Sequence, residues 1–147
     1  MDIEAKKRLE LTNCLCASMR QSSRNISQIY NKHLKASGEK INSNQVSILV
    51  TISQIDHGSI SQISSLLKME RTTLTRNLNV LKKAGWVKSN TGSDGRFTYI
   101  SLTANGNKVL SNVFPHWSKA QEQVQKILGG ELDSFRKNLK NINTNLI

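Results

Sequence analysis

The sequence predicts a mainly α-helical fold with one small β-hairpin, with long helices at both ends of a compact middle unit. Three observations carry this. Apolar residues recur at spacings of three and four along most of the chain. Two short helical segments joined by a tight turn fill residues 61–84. Two strand-like runs, 86–90 and 97–102, follow at once and flank the turn formers Thr91-Gly92-Ser93-Asp94-Gly95.

The first helix is expected over 8–36, where Leu15, Met19, Ile26, Ile29, Tyr30 and Leu34 form a stripe. Ser37-Gly38 ends it, with Gly38 as a C-terminal cap. Asn42 and Gln45 have capping-box spacing, so the next helix starts there, with Val46, Ile48, Leu49, Ile52 and Ile55 inward. Asp56-His57-Gly58 reads as a turn. A short helix from about Ser61 turns Ile63, Leu66 and Leu67 inward, and Lys68-Met69-Glu70 reverses the chain. The following helix, 71–84, buries Leu74, Leu78 and Leu81, and Gly85 sits where a left-handed cap belongs. The hairpin comes next, so the whole reads as a winged helix-turn-helix.

Thr103 caps a second long helix, whose inward residues include Val109, Val113, Phe114, Trp117, Ala120 and Ile127. Pro115 should kink it, because proline removes an interior hydrogen bond. Gly129-Gly130 breaks the chain, and a last helix carries Leu132, Phe135, Leu139, Ile142 and Leu146 at heptad-like spacing.

Residues 1–40 thus form an N-terminal dimerisation helix, 41–102 the winged helix-turn-helix domain, and 103–147 C-terminal dimerisation helices. The middle unit cannot cover the outer stripes, and leaving them wet costs ~1.5–3 kcal/mol per large side chain. A two-fold homodimer removes that cost; a closed monomeric bundle is the alternative.

Composition bounds the function. The 147 residues suit one domain with added arms and can hold a core without disulfides or metal. No apolar run approaches the length of a membrane span, and MDIEAKKRLE has no apolar signal core, so a cytoplasmic protein is expected. The formal net charge is +11, and residues 68–96 carry seven positive against two negative charges. Such a concentration points to a polyanion, here double-stranded DNA. No H-E-x-x-H, P-loop, G-x-S-x-G or G-x-G-x-x-G occurs, so neither an enzyme nor a cofactor is expected.

With Leu74 set toward the core, Thr72, Arg76, Asn79 and Lys83 fall within ~40° of the opposite side, with Thr73 and Thr75 on the flanks. Arg71 opens the same helix. Arg can pair with guanine, Asn with adenine, and Thr with a phosphate or a thymine methyl. Lys82 and Lys83 suit phosphate. Arg96, on the hairpin, suits a narrow minor groove, and Asp94 would hold the loop.

The run M-E-R-T-T-L-T-R-N-L-N-V-L-K-K-A-G-W-V, followed by D-G-R-F-T-Y-I-S-L-T, resembles the MarR family of bacterial transcription regulators. The likeness spans nearly the whole chain; C-L-C-A-S-M-R-Q-S-S-R-N-I-S-Q-I-Y and P-H-W-S-K-A-Q resemble one subgroup with cysteine in its first helix. It implies a homodimer binding a pseudo-palindromic operator, usually as a repressor released by a small ligand or by oxidation. It places Arg76, Thr72, Thr73 and Thr75 among the major-groove readers, Arg96 at the wing tip and Asp94 as its support. Gly95 departs from the basic residue frequent there. The alternative is a winged helix used for protein contacts, without duplex binding.

Cys14 and Cys16 admit three readings: small hydrophobes, a redox sensor, or metal ligands. Two thiols alone fall short of a zinc site, and no metal site is expected. In spacing, Cys16 and Tyr30 resemble the reactive Cys and supporting Tyr of the organic-hydroperoxide-sensing branch. Arg20 and Ile41 stand where that branch favours further tyrosines. For a small aromatic effector, the resemblance suggests a pocket between the wing unit and the dimer helices, with Met19, Arg20, His33, His116 and Trp117 as candidates.

Overall fold

The computed structural model describes residues 2–55, 57–93 and 95–145. Asp94, the expected wing support, and Leu146, the last residue of the C-terminal stripe, lie outside them, as does Asp56. The elements run α1 (Ile3–Thr12), α2 (Leu15–Lys35), α3 (Ser43–Gln54), β1 (Gly58–Ser59), α4 (Ile60–Leu67), α5 (Arg71–Lys83), β2 (Val87–Thr91), β3 (Thr98–Leu102), α6 (Ala104–Leu128) and α7 (Leu132–Thr144).

The helix expected over 8–36 is instead two helices. Thr12 Oγ1 donates to the Leu9 carbonyl at 2.6 Å, and the amides of Asn13 and Cys14 close short turns onto Glu10 and Leu11 at 3.2 Å each. Polar side chains that bond the local backbone compete with helix continuation. Cys14 then adopts an extended backbone (ψ 119°) as the N-cap of α2.

The capping signals place the middle helices. Gln45 N–H donates to Asn42 Oδ1 at 2.9 Å, and Asn42 N–H to Gln45 Oε1 at 3.1 Å. Ser59 and Gln62 make the same reciprocal pair, so α4 starts one residue earlier than expected. Between α4 and α5, Met69 N–H reaches the Ser64 carbonyl and Lys68 N–H that of Ser65, with Lys68 left-handed at φ 50°. The turn of the helix-turn-helix is therefore a Schellman closure with lysine at the position that favours glycine.

The hairpin pairs β2 with β3 antiparallel, Val87 opposite Leu102 through Thr91 opposite Thr98. The sheet has a third strand, because β1 pairs with β3 through Gly58–Ile100 and Ser59–Tyr99. One face is pinned to the core by Val87 and Ile100.

The core is one cluster beneath the helix-turn-helix. Leu34, Ile48, Leu49, Ile52, Ile63, Leu74, Leu78, Leu81, Val109 and Val113 are buried in it. Leu66 and Phe114, expected inward, are 65% and 62% exposed. Ile63 and Leu67 already fill the core side of the short α4, and Phe114 leaves the core to stack on Trp117. Ile127 is likewise exposed, since the core ends before the last turns of α6. Helix α6 runs through Pro115 as a single element. No residue of α1 or α7 is buried within the chain.

Candidate nucleic-acid interface

Helix α5 is held by Leu74, Leu78 and Leu81, each at most 1% exposed. That anchoring decides what points out. Arg71, Thr72, Thr73, Thr75, Arg76, Asn79, Lys82 and Lys83 are all exposed, so cationic and hydrogen-bonding groups line one face from the first turn to the last. Glu70, the N-cap residue, makes no side-chain hydrogen bond to the first-turn amides.

The C-terminal end of α5 is closed twice over. Gly85 N–H donates to the Lys82 carbonyl at 2.9 Å and Trp86 N–H to that of Leu81 at 3.0 Å. Gly85 has the left-handed φ (77°) that this Schellman motif requires. The chain then enters β2, so the turn fixes the hairpin relative to α5.

In the hairpin, Gly92 N–H donates to the Phe97 carbonyl at 2.8 Å and Gly95 N–H to that of Gly92 at 2.9 Å. Arg96 is exposed on this loop, and Lys88 is exposed on β2. Phe97, just before β3, and Tyr99 on it lie ring to ring at 6.5 Å, and His57 packs against Tyr99 at 6.2 Å. The cationic groups of α5 and of the hairpin thus belong to consecutive elements joined by a closed turn.

Away from that surface, α2, α3 and α6 line an open cleft of about 620 Å³, whose walls include Ile26, Tyr30, Val46, Val50 and Trp117 together with the polar Ser27, Ser43, Asn44, Ser47 and Thr51. A smaller cavity of about 240 Å³ adjoins it beside Leu110, Val113 and Phe114. The Trp117 ring lies between Tyr30 at 6.2 Å and Phe114, stacked, at 6.0 Å. Burial pushes the Tyr30 phenol above its ordinary pKa, and the positive charge of Arg136 pulls it partly back. Of the five effector candidates, Trp117 lines these cavities; Met19, Arg20, His33 and His116 are not among their walls. The His33 ring instead bonds Gln123 Oε1 at 2.8 Å.

Cys16 is exposed in the first turn of α2, and Cys14 is half-buried at its cap. Tyr30 stands fourteen residues further along the same helix, ~21 Å at 1.5 Å per residue, so one chain does not bring Cys16 and Tyr30 together. Among the described residues no group of three His, Cys, Asp or Glu is placed to hold a metal. No described helix is long and apolar enough to cross a membrane.

A sequence model of the MarR family matches residues 41–96, the stretch holding α3, β1, α4, α5 and β2. The crystal structure of the M. tuberculosis transcriptional regulator MosR in complex with DNA superposes with a TM-score of 0.79. MosR is 33% identical over 88% of this chain and 93% of its own. The chain belongs to the MarR family. Another relative is the transcriptional repressor MprA of Escherichia coli (strain K12), 35% identical over 101 residues. That match covers 67% of this chain but spans only 56% of MprA's length. The overoxidised form of AbfR bound to DNA also superposes, with a TM-score of 0.71, 29% identity, and coverage of 97% of this chain and 99% of that one.

One residue of this MarR chain escapes a reading by periodicity. Gly106 is buried in the first turn of α6, and a β-carbon there would lie 2.1 Å from the Trp86 carbonyl oxygen. The available signal was a glycine inside a helical pattern, three residues after its Thr103 cap. Glycine costs ~1 kcal/mol in a helix, so its presence marks a close backbone approach.

Proposed function

We propose that this protein is a DNA-binding transcriptional regulator, not an enzyme, acting in the cytoplasm as a homodimeric repressor of a pseudo-palindromic operator. The observation that carries it is the exposed face of α5. Its Arg, Thr, Asn and Lys side chains have the chemistry of base edges and phosphate, and three buried leucines hold them in place. In this reading Arg76, Asn79, Thr72, Thr73 and Thr75 read the major groove, with Arg71, Lys82 and Lys83 on phosphates. Arg96 enters the flanking minor groove.

The homodimer is supported by surface area. A compact 16.5 kDa monomer is expected to expose ~7,600 Å², from the scaling of area with mass. This chain exposes 10692 Å², with Leu15, Phe114, Ile127 and Ile142 all more than half exposed. Residues 1–40 and 103–147 form the pairing region, and 41–102 the DNA-binding domain. Repression is supported by the likeness to MprA, a named repressor.

For release, the cleft between α2, α3 and α6 has Tyr30 and Trp117 among its walls, which favours a small aromatic ligand with polar substituents toward Ser47 and Thr51. Thiol oxidation is the second reading. It rests on the exposure of Cys16 and on the likeness to AbfR, a protein that takes an overoxidised form; because that form is bound to DNA, the likeness supports oxidation of the thiol and not release by it.

The test is equilibrium binding of the full chain to duplexes selected from a random pool and to a scrambled duplex across a salt series. The expected result is tighter binding to selected duplex, with log affinity falling linearly against log salt. No duplex binding at physiological salt would leave a winged helix used for protein contacts. Peroxide treatment of wild type and Cys16→Ser then separates oxidation from ligand release.

A further inference from the structure

Recognition helix α5 and long helix α6 meet at one threonine. Thr103 Oγ1 donates to the Gly85 carbonyl at 2.6 Å and accepts from Gly106 N–H at 3.0 Å. Thr103 N–H donates to the Trp86 carbonyl at 3.0 Å. Gly85 and Trp86 are the two residues whose amides close the C-terminus of α5. A single residue therefore caps the start of α6 and holds the closing turn of α5. Directly above, the missing side chain of Gly106 lets the first turn of α6 lie against the Trp86 carbonyl, where a β-carbon would sit at 2.1 Å. A real β-carbon essentially never comes so close to backbone, so the two elements are locked in an approach that only glycine allows.

The far part of α6 belongs to the other half of the molecule. It is tied to α2 by the Tyr30 hydroxyl donating to Gln121 Oε1 and by the His33–Gln123 bond. No flexible linker separates α6 from the hairpin, since Leu102 pairs with Val87 in the residue before the cap. The joint at Thr103 and Gly106 thus ties the start of α6 to the end of α5, beside the core to which both helices contribute.

We infer that Thr103 and Gly106 are positioning residues that set the distance between the two recognition helices of a dimer, and so the half-site spacing that the protein accepts. The inference rests on the dimeric, DNA-binding reading above. Neither residue touches DNA in it; they act through α5, whose base-reading side chains stay as they are. Loosening the joint changes which spacing is bound and leaves the half-site sequence unchanged.

The test is in vitro selection from a random duplex pool, with full-length wild type, Thr103→Val, Thr103→Ser and Gly106→Ala. Thr103→Val removes the shared hydroxyl at nearly constant shape; Thr103→Ser keeps it. Gly106→Ala forces the first turn of α6 off the Trp86 carbonyl. Wild type and Thr103→Ser should return one half-site spacing and lose at least ~10-fold in affinity when a base pair is inserted between half-sites. Thr103→Val and Gly106→Ala should return the same half-site with a shifted or broadened spacing and lose less than ~3-fold on that insertion. Circular dichroism shows which variants are folded; if Gly106→Ala is not, Thr103→Val decides. A folded Thr103→Val with the wild-type spacing preference overturns the inference. A wild type that enriches no sequence overturns the DNA-binding reading itself, a separate result.

Discussion

The Tyr30 hydroxyl donates to Gln121 Oε1, joining α2 to α6 beside the Trp117 ring. Burial holds this phenol above its ordinary pKa, with Arg136 opposing. A folded-state pKa above the unfolded value favours the folded form fully below the ordinary tyrosine range near ~10, and this is lost as pH rises through the folded value. The chain has two tyrosines. An absorbance titration of the phenols should show a late component that Tyr30→Phe removes. A late component that survives in that variant would overturn the assignment to Tyr30.

Arg76 and Lys83 share the exposed face of α5 but should fail differently. Arg76→Ala is expected to cost ~1–3 kcal/mol on the selected duplex and to relax base preference at one position. Lys83→Ala should weaken all duplexes alike and lower the salt slope by about 1. Fluorescence anisotropy on selected and scrambled duplexes measures both; equal and sequence-independent losses would reject the two assigned roles.

Lys68 holds a left-handed backbone, φ 50°, at the turn between α4 and α5. A side chain there costs ~1–2 kcal/mol relative to the right-handed form, and glycine escapes that cost while adding freedom to the unfolded chain. Lys68→Gly should therefore raise unfolding stability by about 0.5–1 kcal/mol. Urea denaturation monitored by far-UV circular dichroism checks it, and a lower midpoint would contradict the strain argument.

Leu139 is half-buried, on a helix that has no fully buried residue within its own chain. If α7 packs against a second copy, Leu139→Glu places a charge in that interface, an uncompensated burial worth several kcal/mol. Sedimentation velocity should show a dimer for wild type and a monomer or a weakened dimer for the variant. A monomeric wild type at tens of micromolar would remove the proposed pairing role of both ends.

The helix-turn-helix was legible because its signals are local: Asn42 with Gln45, the Leu74, Leu78 and Leu81 stripe, and Gly85. The proposed DNA-reading face followed from the same stripe, since a helix anchored on one side must present the other. What was not legible depends on neighbours distant in sequence. The break at Asn13-Cys14 interrupts no apolar period, because α1 buries nothing. Strand β1 is two residues long and exists only through pairing with Ile100 and Tyr99. Phe114 carries an inward-looking period, yet the core of one chain does not extend to it. The walls of the cleft come from three helices, and only Trp117 among the five candidates lies where they converge.

Because β3 is bonded on one side to β2 and on the other to the two residues that lead into α4, the hairpin is no detachable appendage. Opening it exposes Ile100 and unravels the approach to the first helix of the reading head in the same event. The amides of Ile100 and Val87 should accordingly exchange with deuterium in step with those of Ile63, as one cooperative block.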